Sequence, residues 1–180
     1  FLDSIRFQQR VEIAATTDPS AARDAAVVLF CVKTVDTELA ARMLAPHLAP
    51  GATVVSLQNG VDNVARMRAA AAIDALPSVV YVAAALSEPG RVHHSGRGDL
   101  VLGDPRRRDD VARVADLFAC AGVPCRLTEN IEGELWAKLI LNCAGNALTA
   151  LGRASYGRVA GHEAAREVLL RAAEEAVAVA

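Results

Sequence analysis

In residues 134–151 a lysine or asparagine stands at every fourth position, Lys138, Asn142 and Asn146. Most of what lies between is apolar, Leu135, Trp136, Leu139, Ile140, Leu141 and Leu148 among them. An α-helix advances about 100° per residue, so each step of four drifts only about 40° around the axis and the three side chains line up. Thr149 falls close beside them. A helix apolar on most sides is expected to be buried. Burying an unpartnered amide costs roughly 2–7 kcal/mol, and an ammonium more. The stripe is therefore expected to face a polar network, a wet cleft or a bound polar ligand.

Upstream the pattern changes to short apolar runs. Val27-Val28-Leu29-Phe30-Cys31-Val32 and Ala52-Thr53-Val54-Val55-Ser56-Leu57 read as strands buried on both faces of a parallel sheet. Helical patterns follow them at 36–48 and 61–72, the first stopped by Pro50-Gly51. Strand–helix–strand–helix with short links predicts an α/β fold with a doubly wound sheet. Residues 11–15 are read as an earlier strand, leading to Thr17-Asp18-Pro19-Ser20 as a helix-entry loop. A strand is expected at 78–85, a turn at Glu88-Pro89-Gly90, and a hairpin of 92–95 with 100–102 around Gly96-Arg97-Gly98-Asp99. An amphipathic helix at 109–121 ends at Gly122, and 123–127 form a short closing strand. From there the pattern is helical to Ala180, with a break near 152–161. This places a domain of residues 1–128 before the start of an all-helical domain, 129–180.

Composition narrows the functions open to such a fold. The net charge of −2 argues against a nucleic-acid partner. Arg106-Arg107-Arg108, flanked by Asp104, Asp109 and Asp110, reads as a solvated loop. Aromatic residues make up only 4%, so alanine, valine and leucine must fill the core. Cys31 and Cys143 lie in apolar stretches as small hydrophobes, and Cys120-x4-Cys125 lacks the second pair a zinc site needs. A reduced, cytoplasmic setting follows, with no metal, no membrane span and no signal peptide. His93 and His94 are adjacent in an expected strand, so they point to opposite faces and do not share a metal. The chain starts at Phe1 without a methionine and ends inside a helical pattern, and so reads as a piece of a longer protein.

In open α/β sheets ligands bind beyond the carboxyl ends of the strands. The first apolar run ends in Lys33-Thr34 and the second in Gln58-Asn59-Gly60. Lys33 suits a phosphate or a ribose hydroxyl, or is simply the first solvated residue past a strand. Asn59 offers a donor and an acceptor beside a glycine that admits a close approach, or is simply a helix N-cap. Gly96-x-Gly98 opens no helix and is not a phosphate loop.

Taken in order, these motifs resemble the ketopantoate reductase family along nearly the whole chain. Val32-Lys33-Thr34 looks like its strand-end lysine motif, Leu57-Gln58-Asn59-Gly60-Val61 like its asparagine-glycine motif, and Pro89-Gly90-Arg91-Val92-His93-His94 with Leu102-Gly103 like its hairpin. Glu134-Leu135-Trp136-Ala137-Lys138-Leu139, running on to Asn142 and Asn146-Ala147-Leu148-Thr149-Ala150, is similar to its signature helix. The resemblance implies a Rossmann-like domain, truncated at its N-terminus, followed by the start of a helical substrate and dimerisation domain. It implies an NADPH-dependent reduction of 2-dehydropantoate to pantoate, on the way to pantothenate and coenzyme A. By position, Lys138 would be the general acid, Asn142 and Asn146 would hold substrate oxygens, and Lys33 and Asn59 would contact the cofactor. Asn59 would lie near both nicotinamide and substrate, and the backbone at Ala85-Leu86 would pass close by.

The chemistry is coherent without the family. Hydride transfer to a ketone creates an alkoxide, which an ammonium stabilises and protonates, a contribution typically of about 10²–10⁴-fold. Burial or a nearby cation would lower such a lysine's pKa. The glycine loop, the arginine that reads a 2′-phosphate, and the serine and glutamate that complete the family's substrate pocket are not in the chain. Ser155-Tyr156 stands where family members can place a further substrate asparagine. The piece alone is therefore expected to be inactive, and the final helix to be covered by further chain or by a second copy in a homodimer. Two other readings remain open: a related dehydrogenase of another 2-oxo or β-hydroxy acid, and a non-catalytic nucleotide-binding module that keeps the helix for packing.

Overall fold

The computed structural model describes all 180 residues, Phe1–Ala180. In chain order the elements are β1 (Leu2–Ser4), β2 (Gln8–Gln9), β3 (Val27–Phe30), α1 (Thr37–Leu44), β4 (Thr53–Ser56), α2 (Asn63–Ala71), β5 (Leu76–Glu88), β6 (Arg91–Leu102), α3 (Arg108–Cys120), β7 (Cys125–Leu127), α4 (Ile131–Gly152), α5 (Tyr156–Gly161) and α6 (Glu163–Val179). They fall into two compact units, Phe1–Ile131 and Glu132–Ala180. None of the helices is long and apolar enough to cross a membrane.

The first unit is a seven-stranded mixed sheet of order β2-β1-β6-β5-β4-β3, with β7 also paired to β6. β3, β4 and the start of β5 run parallel, with Phe30 opposite Ser56 and Val55 opposite Leu76. β4 shows why the sheet is wound on both faces. Successive strand residues point to opposite sides. Val54 packs with Phe30, Ala41, Met67 and Ile73 against α1 and α2. Val55 packs with Leu76, Leu102, Val111 and Val114 against α3. β4 is buried along its whole length, as expected of a run apolar on both faces. β3 departs from that expectation: it stands at the sheet's edge, and Leu29 is 48% exposed. Glu38 on α1 takes a bidentate ion pair from Arg66 on α2 at 2.7 and 2.8 Å, tying the two helices on one face.

Two local expectations fail. Residues 11–15 form no strand, and Val11 and Ile13 are exposed. Their apolar–polar alternation has no ladder partner, because Leu2–Ser4 takes the place beside β6. The hairpin around residues 96–99 is also absent. β6 runs unbroken past Gly96 and Gly98 and turns back on β5 only at Pro89-Gly90, where Gly90 has φ 79°. The glycines mark bulges: register shifts after Tyr81 and Ala83 absorb the extra residues, with Arg97 at φ 58° and Gly98 at φ 119°. Arg97 is held there by Asp99 at 2.7 Å and lies 3.9 Å over the Tyr81 ring.

Other expectations are met. Asp18 caps the short 3-10 turn at Pro19–Ala22 by accepting from the Ser20 N–H at 2.9 Å. α3 stops before Gly122, whose φ of 71° suits a residue without a Cβ. His93 and His94 pair in register with Asp3 and Ser4, and Ser4 Oγ lies 3.0 Å from His94 Nδ1. All four cysteines are free, as a reduced chain requires, but Cys31, just past β3, and Cys143 on α4 are exposed and not the buried small hydrophobes expected.

The arginine run is more than a solvated loop. Arg107 is half-buried and donates to Asp110, while Arg106 forms a fork with the buried Asp104 at 3.1 Å to each carboxylate oxygen. Burial would raise the Asp104 carboxyl. The guanidinium and the backbone N–H of Arg106, at 3.0 Å, more than offset this and hold it below the usual range. A carboxylate whose folded pKa is depressed stabilises the fold above its unfolded pKa of about 3.9 and loses that contribution as pH falls. Asp104→Asn is therefore expected to lower stability near neutrality by about 1.5–3 kcal/mol. It should also flatten the decline between about pH 5 and 2. Urea titrations across that pH range check both. In the same assay Met67→Ala, which empties a fully buried site between the helices and β4, is expected to lose about 2–5 kcal/mol.

Candidate functional site

The parallel strands β3 and β4 end level, and the ladder extends one step past them through the Leu57 N–H to Phe30 O at 3.0 Å. Beyond that point the two chains are joined by side chains. The Gln58 amide donates to Val32 O at 3.0 Å and to Thr37 Oγ1 at 2.9 Å, and accepts from Ser56 Oγ at 3.2 Å. Thr37 donates on to Asn63 Oδ1 at 3.3 Å. Asn63 Nδ2 donates to Asn59 O at 2.8 Å, and Thr34 Oγ1 reaches the same carbonyl at 3.2 Å. Ser78 Oγ on β5 donates to Ser56 O at 2.6 Å. Ser56, Gln58, Thr37, Asn63 and Ser78 are all buried, and no buried side-chain nitrogen or oxygen in the structure lacks a partner.

This network places the predicted residues. Lys33 and Asn59 are exposed, at the tips of two loops locked to each other through Thr34 and Asn59 O. Asn59 is not the N-cap of α2. That position belongs to Asp62, and the helix takes its first residue, Asn63, as the donor to Asn59 O. Gly60 has φ 110°, and an added Cβ would lie 3.1 Å from Asn63 Nδ2. The backbone beside Asn59 therefore needs a glycine for both conformation and space. Ala85 and Leu86 lie on the exposed outer part of β5, paired with His93 and Val92.

In the second unit the expected stripe is present: Lys138, Asn142 and Asn146 lie on α4, which runs unbroken from Ile131 to Gly152. The expectation that this helix is buried is not met. Lys138 and Asn142 are half-buried, Asn146 is exposed, and Leu141 and Leu151 are 65% and 85% exposed. Past Ile131 the buried positions of α4 are Ala144 and Gly145. An apolar circumference buries only what neighbouring elements cover. The expected break after α4 holds a helix of its own, α5. Its first residue, Tyr156, donates its hydroxyl to Asn146 Oδ1, and its ring packs on Gly145.

Sequence reasoning missed the roles of Gln58, Thr37, Asn63 and Tyr156. The available signal for the first three was a glutamine directly after a run that alternates between two buried faces. For Tyr156 it was a large side chain following a helix that carries glycine just before a polar stripe residue.

The family described as ketopantoate reductase PanE/ApbA matches residues 2–107, and its C-terminal counterpart matches 130–180. The 2-dehydropantoate 2-reductase of Halobacterium salinarum is 37% identical over 93% of this chain and 56% of its own length. That of Archaeoglobus fulgidus is 32% identical over 92% of this chain and 55% of its own. The chain thus spans about half the length of the curated relatives it matches. The crystal structure of a PanE/ApbA family ketopantoate reductase from Ralstonia eutropha superposes with a TM-score of 0.89 at 44% identity, over 99% of this chain and 59% of that one.

Replacing Gln58 by leucine keeps the volume and strips the network of its hub. It is expected to lower stability by about 1–3 kcal/mol for each buried partner left unpaired. Chemical denaturation checks this, with a core change of similar size as the reference.

Proposed function

The chain belongs to the ketopantoate reductase family, and on that footing we propose that the intact protein reduces 2-dehydropantoate to pantoate with NADPH. The observation that carries the reading is the line of one ammonium and two carboxamides on α4, within the part of the chain that matches the family's C-terminal domain. A 2-oxo acid presents a ketone and a carboxylate, all oxygen acceptors. Asn142 and Asn146 supply N–H donors that orient those oxygens without adding charge. Lys138 supplies a positive charge and a proton to the ketone oxygen as it becomes an alkoxide.

The first unit fits the nucleotide. Its parallel strands end in exposed Lys33 and Asn59, on loops that the buried Gln58 network holds in place, and Gly60 leaves the backbone open beside them. Lys33 suits a ribose hydroxyl or phosphate, and Asn59 the nicotinamide end and the substrate. Bound NADPH would supply the hydride. The same reading takes the intact protein as a cytoplasmic homodimer. Val168, Leu170, Val177 and Val179 on α6 are exposed and ask for cover, which further chain or the second copy of the dimer would supply.

The test is steady-state oxidation of NADPH by the intact protein with 2-dehydropantoate and a panel of other 2-oxo acids, with product identified as pantoate. Lys138→Ala is expected to lower kcat by about 10²–10⁴-fold. A loss under tenfold removes the lysine from the acid role. Preference for another 2-oxo acid changes the substrate but keeps the chemistry. NADPH binding without turnover of any ketone points instead to a nucleotide-binding module.

A further inference from the structure

We propose that Tyr156 is a positioning residue: it fixes the Asn146 carboxamide with its N–H donors directed to the ligand, which makes that position selective for oxygen-rich anions. The inference rests on the reading of Asn146 as a substrate-binding residue.

The geometry starts with the end of α4. Arg153 takes a left-handed conformation, φ 44°. The Ala154 N–H reaches back to Thr149 O at 3.1 Å, and the Arg153 N–H to Ala150 O at 3.3 Å. This closes the helix and reverses the chain. Tyr156, the first residue of α5, is thereby laid alongside residues 145 and 146. The close approach depends on Gly145. A Cβ there would overlap the ring at Cε1 and stand 2.9 Å from Cδ1 and 3.0 Å from Cζ. With the ring seated on Gly145, the hydroxyl donates to Asn146 Oδ1.

A carboxamide has an acceptor end and a donor end, and a half-turn about its terminal bond exchanges them. An unrestrained Asn146 would present either end. The phenol donates to the oxygen, which leaves both Nδ2 hydrogens for a ligand; turned over, the amide would spend one N–H on the phenol oxygen and offer its own oxygen instead. A carboxylate or ketone accepts and never donates, and meets a matched partner only in this orientation. A flipped amide would set Oδ1 against substrate oxygen, an unpaired and repulsive contact. Tyr156 thus acts through Asn146 on which ligands the stripe accepts, and Gly145 is the space that permits it.

The experiment compares three forms of the intact protein: wild type, Tyr156→Phe and Asn146→Asp. Phenylalanine keeps the ring on Gly145 and removes only the donor. For Tyr156→Phe, KM for the 2-oxo acid is expected to rise about 3–10-fold, with kcat within about twofold and NADPH affinity unchanged. Asn146→Asp keeps an acceptor for Tyr156 but faces substrate with an anion, and KM is expected to rise at least about 100-fold. The Asn146 side-chain NH₂ resonances, identified by their loss in Asn146→Asp, are expected to shift in Tyr156→Phe. An unmoved resonance overturns the positioning role. An unchanged KM in Tyr156→Phe, or a fall in kcat that tracks a fall in melting temperature, reduces the tyrosine to packing. If wild type binds NADPH but turns over no 2-oxo acid, the proposed function falls and the substrate half of this inference with it. The Asn146 resonance then decides the positioning half by itself.

Discussion

A buried glutamine organises the first unit. Gln58 lies two residues past the end of β4 and is still buried, and an amide there must find partners or forfeit roughly 2–7 kcal/mol. It finds them on the neighbouring strand's exit, at Val32 O, and at the first residue of α1, Thr37. The two crossover loops are therefore held by one side chain and are not separately flexible. Through Thr37 and Asn63 the constraint passes to Asn59 O, and so to the loop that carries the exposed asparagine. Polar side chains buried in this way specify one arrangement, because every alternative leaves a donor or acceptor stranded.

Most of what surrounds that network is generic. Val54 and Val55 send one strand's burial to two cores, the helices cover them, and ion pairs such as Glu38–Arg66 and Asp104–Arg106 tie the helix starts down. These forces make a wound sheet from many sequences. Specificity enters where the regular hydrogen bonding runs out. At the carboxyl ends of β3 and β4 the backbone no longer pairs with itself, and side chains must close the gap. The closure leaves Lys33 and Asn59 exposed at the ends of the two strands.

The sequence was legible where burial and period agree. The run at 52–57, the helix read at 109–121 and found at 108–120 with its glycine stop, and the period of the α4 stripe each follow from one rule applied to consecutive residues. It was illegible where the partner lies far along the chain. Gly96 and Gly98 carry the composition of a turn, but β5 offers an unbroken antiparallel partner, so they became bulges. Residues 11–15 carry a strand's alternation, but the place beside β6 is filled by Leu2–Ser4. Gln58 received no role of its own from the sequence, because nothing local says that Val32 and Thr37 stand within reach. Glu132–Ala180 posed a different difficulty. Apolarity predicted burial of α4, yet burial depends on what is packed against a helix, and its own circumference does not supply that.

The exposed apolar surface of α4 gives weight to its small residues. Leucines at 141 and 151 are open, while Ala144 and Gly145 are buried, an inversion of the usual order. It follows from what each position receives. A leucine needs an opposing surface. A glycine creates room for one, and Tyr156 takes that room. The positions of α4 best defined by packing are thus those next to Asn146, and not those richest in carbon. Here the best cover lies over a missing side chain, and the ring that supplies it ends in a hydroxyl on the neighbouring amide.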